Sequence, residues 1–282
     1  MIQKAVQQIM LGSVTGNEAD ARATLAQIKA AGYDALELNG FMIRPTSFLV
    51  RALTKAAGMP TGKGGKLNWP ALLKEAGLGV VSVHEDLNRI ENETAAVVDE
   101  TKQFGCRYIV ITGMYRFDYS DPEAVLGLVK RLNAAGEKLA GEGVSLLYHN
   151  HNIEFSRLPD GRTAWDVLLT ETKPEFVNFE FDSYWPTEAG ANALFLMQDL
   201  GSRMKLWHIN DRGFRASGAQ MTPIMKSDSL ELGTGNMPLE ALADQAKKAG
   251  IDAVILESHR NWIDKSPVAS LKQSAEFLHK HF

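Results

Sequence analysis

Residues 144–149 read VSLLYH, and the same arrangement recurs three times downstream, as FVNFEFD at 176–182, MKLWH at 204–208 and AVILE at 253–257. Each is a short β-branched or apolar run of the kind that is buried on both faces of a parallel sheet. Each ends in one group able to bind a hard or borderline divalent metal: His149, Asp182, His208 and Glu257. A buried carboxylate or imidazole costs on the order of several kcal/mol unless it is paired or metal-bound. Four such groups at matching strand ends point to one common site.

Working outward from these runs, short apolar segments alternate with 3.6-period segments along the whole chain. The pattern predicts eight strands, at Val6–Leu11, Ala35–Leu38, Val80–His84, Tyr108–Thr112, Val144–His149, Val177–Asp182, Lys205–His208 and Ala253–Glu257. Between them, Glu18 to Ala31 places Ala21, Leu25 and Ile28 on one stripe, and Pro122 to Ala140 does the same with Val125, Leu128 and Leu132. Glycines of the helix-ending type precede many strands, as in AAGYDALEL, EAGLGVVSVH and KAGIDAVILE. Asn17 and Ser120–Asp121–Pro122 have the residue types of helix starts. Strand followed by helix eight times predicts an α/β protein closed as a (β/α)8 TIM barrel, one domain over 1–282. The rival is a doubly wound open sheet. It would carry a glycine-rich phosphate loop after the first strand, and MLGSVTGNEAD lacks the G-x-G-x-x-G form. Phe41–Trp69, with its GMPTGKGGK stretch, is the longest irregular insertion and is expected to cover the barrel mouth.

The bulk numbers agree. A chain of 282 residues, 45% hydrophobic and 23% charged, suits one large core. A net charge of -4 gives no electrostatic case for nucleic acid or a membrane surface. The single cysteine, Cys106, excludes an internal disulfide, fits a reducing compartment and reads as a buried structural thiol within FGCRYIVI. The N-terminal segment is too short and polar for a secretory signal, and no run approaches a membrane span, so a cytoplasmic location is expected. The exposed helices of such a barrel leave a homo-oligomer open.

In a barrel of this kind chemistry sits at the C-terminal ends of the strands. The polar strand-end residues are Glu37, His84, His149, Asp182, His208 and Glu257. Singly, each has a plainer reading: a strand-end His can be a hydrogen-bonded structural residue, and Asp182 can cap the next helix. As a set, two imidazoles and two carboxylates satisfy a four-ligand site, and mixed N/O donors suit Mn²⁺, Co²⁺ or Zn²⁺, with Mg²⁺ a further candidate. Asp211, three residues after His208, is placed to accept the other imidazole N–H, or else is a turn residue. Arg212 follows as a candidate for an anionic or hydroxyl-rich substrate group, and Arg260 gives a weaker hint of the same kind. In YHNHNIEF, His151 lies on the same side as His149 while the chain stays extended. Glu154, between Ile153 and Phe155, is expected to be desolvated and suited to proton transfer.

The segments YHNHNIEF, FEFDSYWPTEAG, KLWHINDRG, ELGTGNMPLEAL and VILES, with YDALEL and SVHEDL earlier, resemble the xylose-isomerase-like barrel superfamily, in particular its sugar phosphate isomerase/epimerase branch. The resemblance implies one divalent metal held by an acidic residue after strand five and by Asp182, His208 and Glu257 after strands six to eight. Two departures stand out. The strand-five position aligns with His149, leaving Glu154 as the nearest carboxylate, so either His149 ligates or Glu154 reaches back. Where many members carry D-x-x-H after strand six, this chain has DSYW, which puts Trp185 there as an apolar face for a sugar ring.

The activity expected from these readings is isomerisation or epimerisation of a ketose, keto-sugar or sugar phosphate by α-proton abstraction. Glu257 and Glu154 would move the proton, and His84 and Glu37 would position hydroxyls. A lyase acting on a keto-sugar, keto-glycoside or inosose shares the first half-reaction and is the alternative.

Overall fold

The polypeptide, described by a computed structural model over residues 1–45, 64–216 and 218–282, closes eight parallel strands into a barrel. The strands are β1 (Gln3–Gln7), β2 (Ala35–Asn39), β3 (Gly79–His84), β4 (Tyr108–Thr112), β5 (Ser145–His149), β6 (Val177–Asp182), β7 (Met204–Ile209) and β10 (Ala253–Leu256). They run around the barrel in chain order, and β10 closes it against β1. A separate hairpin, β8 (Asp211–Gly213) with β9 (Asp228–Leu230), stands between β7 and β10 and is absent from the sequence reading. The expected cover of the mouth, Phe41–Trp69, falls largely on residues 46–63, which lie outside the described residues.

Local chemistry sets the boundaries. The side chain of Asn17 accepts a hydrogen bond from Asp20 N and starts the helix Glu18–Ala30. Asp121 does the same for Glu123 N ahead of Pro122–Gly141, with Pro122 at a position that needs no donor. Gly77 and Gly250 end their helices in the left-handed conformation, at φ 66° and 75°, which a Cβ would disfavour. The first strand is a correction. It ends at Gln7, and Gln8–Leu11 forms a 3-10 turn whose first free N–H, that of Ile9, is taken by the Gln7 side chain. An apolar run of that length does not distinguish strand from buried turn.

Alternation along the strands sorts side chains into two layers. Outward residues such as Val6, Leu36, Ile109, Tyr148, Phe181 and Trp207 pack under the helices in the main core. Inward residues Ala5, Ala35, Val81, Val110, Leu147, Leu206 and Ile255 belong to a second, smaller cluster that fills the lower half of the barrel. The upper half is polar: Gln7, Glu37, Ser82, His84, His149, Glu180, Asp182, His208 and Glu257 are all buried there. Register shifts between Leu36/Glu37 on the β2–β3 pair and between Phe179/Glu180 on the β6–β7 pair sit where the apolar filling gives way to this polar layer. Bulges of this kind commonly re-aim side chains beside active sites.

Candidate metal centre

The register brings the four strand-end donors together. Asp182 pairs with His208 across β6 and β7, His208 lies level with Ile255 of β10, and Glu257 follows two residues on, its N–H on Ile209 O at 3.2 Å. One ligand atom each from His149, Asp182, His208 and Glu257 lies within 4.8 Å of the others, and all four residues are buried. A cation roughly 2.1 Å from its donors spaces neighbouring donors roughly 3.0–3.4 Å apart and opposite ones roughly 4.2 Å apart. His208 Nδ1 is 3.0 Å from Glu257 Oε2 and 4.0 Å from Asp182 Oδ2, which matches such a shell.

Charge tells the same story. Burial, reinforced by the neighbouring Glu257 charge, pushes the Asp182 carboxyl up to about 8 against the pull of His208. It is a buried acid short of a positive partner, as expected where a cation belongs. Burial penalises Glu257 as well, yet His259, His208 and His149 hold its carboxyl well below the usual range. Asp182 also explains its two sequence readings at once. Its Oδ1 accepts from Tyr184 N at 2.7 Å, at the start of the short helix Tyr184–Glu188, while Oδ2 faces His208.

Beneath these donors lies a buried tier. Glu37 Oε2 is 2.5 Å from His208 Nε2 and 3.0 Å from His84 Nε2, and it accepts from Gln7 Nε2 at 3.1 Å. Its Oε1 accepts from Ser82 Oγ at 2.5 Å. Glu180 Oε1 is 3.0 Å from each of His84 Nε2, His149 Nδ1 and His208 Nε2. Burial opposes a charge on either partner, but Glu37 and Glu180 together raise the His84 imidazole to about 10, and His208 and His84 hold Glu180 well below its usual value.

Several expected site residues take partners of their own in this arrangement. Glu37 and His84 sit under the donors: Glu37 bonds His208, Gln7 and Ser82, and His84 turns Nε2 to Glu37 and Glu180. Asp211 does not touch His208. Its carboxylate accepts from the backbone N–H groups of Gly233, Gly235 and Met237 and so ties down the ELGTGNM loop. Glu37 and Glu180 occupy the place beside His208 that was expected of Asp211. Glu154 is fully buried and its carboxyl is raised by desolvation, as expected, but it points behind the barrel wall. Its Oε1 accepts from Tyr148 Oη at 2.7 Å and its Oε2 from His151 N at 2.9 Å. The strand-five member of the donor group is therefore His149. Arg212 pairs with Glu188 and stacks 5.9 Å from the Tyr184 ring. Arg260 pairs with Asp228.

His151 and Trp185 do meet, with ring centroids 5.6 Å apart, and His151 lies 5.0 Å from the His149 ring. His259, which the sequence reading missed, completes this wall 6.2 Å from Trp185, with Nε2 3.7 Å from Glu257 Oε1. Its signal was present two residues after Glu257, in ESHR. Glu180 was also visible as a charge inside an apolar strand on the Asp182 face, but not as part of the site.

The sequence matches the family described as xylose isomerase-like TIM barrel over residues 25–281. The chain belongs to that family. A search of curated proteins gives no match to this xylose isomerase-like barrel. Among solved structures it is similar to a sugar phosphate isomerase/epimerase from Parabacteroides distasonis, at 20% identity and TM-score 0.76, covering 98% of this chain and 92% of that one. It is similar to a probable 3-DHS dehydratase involved in petrobactin synthesis from Bacillus anthracis, at 13% identity and TM-score 0.67, covering 99% of each. It is also similar to a xylose isomerase-like TIM barrel protein from Mycobacterium smegmatis in complex with magnesium, at 12% identity and TM-score 0.69, covering 99% and 96%. At such identities the likeness concerns the fold.

Proposed function

We propose that this barrel is a divalent-metal-dependent isomerase or epimerase acting on a ketose, keto-sugar or sugar phosphate through removal of a proton next to a carbonyl. The observation that carries this reading is the convergence of His149, Asp182, His208 and Glu257 at one rim, their ligand atoms within 4.8 Å of one another. When bound there, a divalent cation would supply Lewis-acid polarisation of a substrate carbonyl. Glu257, kept ionised by the imidazoles around it, is the base that takes the α-proton. Trp185 offers a flat apolar face to a sugar ring, and His151 and His259 flank it with groups able to bond hydroxyls. The dehydratase and isomerase/epimerase neighbours, together with the magnesium complex, are consistent with this chemistry.

One observation favours the lyase as a second reading. With His149 at the strand-five position and Glu154 turned towards Tyr148, the donor group holds Glu257 and Asp182 as its only carboxylates among the described residues. A reaction that returns the proton from the opposite face needs a second base there. Elimination, or a proton shift along one face, does not. The deciding experiment incubates the metal-loaded chain with ketoses, keto-glycosides and inososes in D₂O. Deuterium in an isomeric sugar supports the isomerase, an unsaturated product supports the lyase, and neither exchange nor product with any candidate overturns both.

A further inference from the structure

The geometry points to Glu180 as a positioning residue that fixes the tautomer of the His149 imidazole, so that His149 presents Nε2 to the cation, while Glu37 does the same for His208, which then presents Nδ1. The inference rests on the metal-centre reading above and concerns the tier beneath it.

His149 and His208 each have one ring nitrogen turned down into the barrel. His149 Nδ1 lies 3.0 Å from Glu180 Oε1, and His208 Nε2 lies 2.5 Å from Glu37 Oε2. An ionised carboxylate only accepts hydrogen bonds, so each of those nitrogens must carry its proton. In a neutral imidazole the lone pair then falls on the other nitrogen. For His208 that is Nδ1, the atom already 3.0 Å from Glu257 Oε2 and 4.0 Å from Asp182 Oδ2. For His149 it is Nε2.

A fold-stabilising role does not account for Glu180. Among the described residues its Oε1 meets only imidazole nitrogens, those of His84, His149 and His208, and its buried Oε2 has no hydrogen-bond partner. A buried carboxylate kept for structure would be expected to take backbone N–H groups, as Asp211 does. Glu37 is the hydrogen-bond partner of His208 Nε2, whereas the bond from His149 Nδ1 goes to Glu180. Glu180 is thus the carboxylate that sets His149, and the register His149↔Glu180 across β5 and β6 places it there.

The test uses the whole chain, labelled with ¹⁵N-histidine and loaded with zinc, which is diamagnetic. Ring ¹⁵N shifts should place the proton of His149 on Nδ1 and that of His208 on Nε2. Glu180→Gln keeps an accepting oxygen without the charge, and should keep both tautomers while weakening zinc binding about tenfold. Glu180→Leu should lose the defined His149 tautomer and weaken zinc roughly 100-fold, the span typical of partners to metal-bound histidines. A proton on His149 Nε2 or His208 Nδ1 in the zinc-bound wild type overturns the assignment without any variant. So do unchanged zinc affinity in both variants and a stoichiometry of two zinc ions per chain, which would make the lower nitrogens ligands themselves. A wild-type chain that takes up no zinc overturns this assignment and the metal-centre reading together.

Discussion

At the residue scale, Asp182 divides its carboxylate between two tasks, capping a short helix with Oδ1 and facing the donor group with Oδ2. An amide can still accept from Tyr184 N but cannot bring the negative charge. Asp182→Asn should therefore leave the fold intact, lower the metal retained after dialysis at least about tenfold, and abolish turnover; metal analysis beside a melting curve checks this. Glu257→Gln should cost roughly 10²–10⁴ in turnover, the usual worth of a positioned base, in an assay saturated with metal. These residues were legible in the sequence because each interrupts an apolar run with a group too costly to bury alone. Glu37 and Glu180 interrupt such runs too, and their burial was predictable, but their roles were not. Alternation reports which face a side chain takes, not its height along the barrel axis. Two residues of strand, roughly 6.6 Å, separate Asp182 in the donor group from Glu180 below it.

At the element scale, the loop after β5 is held by a relay of hydrogen bonds. Met114 N donates to Tyr119 Oη, Tyr119 Oη to Tyr148 Oη, and Tyr148 Oη to Glu154. Gly113 is the close approach that lets it form, since a Cβ there would lie 2.8 Å from Glu154 Oε1 and 3.2 Å from His151 Nδ1. Gly113→Ala should destabilise the chain by about 1–3 kcal/mol through overpacking, read as a lowered denaturant midpoint. The hairpin β8–β9 and the loop behind it hang on Asp211 in the same way. Asp211→Ala strands three loop N–H groups and should cost about 3 kcal/mol, while metal content at low temperature stays unchanged. Neither arrangement was legible. Glu154 was singled out by its apolar neighbours, which foretell desolvation but not direction, and Asp211 by its distance in sequence from His208. The strand and helix order, in contrast, followed directly from periodicity and glycine placement, because those signals are local.

At the scale of the whole molecule, the barrel stacks a polar upper half on an apolar lower one, and the donor group caps the stack. Four carboxylates, Glu37, Glu180, Asp182 and Glu257, share the upper half with the imidazoles of His84, His149 and His208. A cation bound there would stabilise the folded state by mass action, by about 2.7 kcal/mol at a hundred times its dissociation constant. Adding Mn²⁺ or Zn²⁺ to a stripped sample should raise the melting temperature, and the shift should vanish in Asp182→Asn. Without metal, Asp182 is raised to about 8, and His208 is raised by Glu180, Glu37 and Glu257 against the cost of burial. Both bind protons that a cation must displace, so metal affinity should climb as pH rises from about 6 to 8, measured by titration calorimetry. The apolar lower half has a further consequence for traffic. With Ala5, Ala35, Leu147, Leu206 and Ile255 plugging it, the lumen is closed from below among the described residues. Under the proposed reaction, reactant would enter and product leave by the upper mouth, so product should compete with reactant in steady-state kinetics.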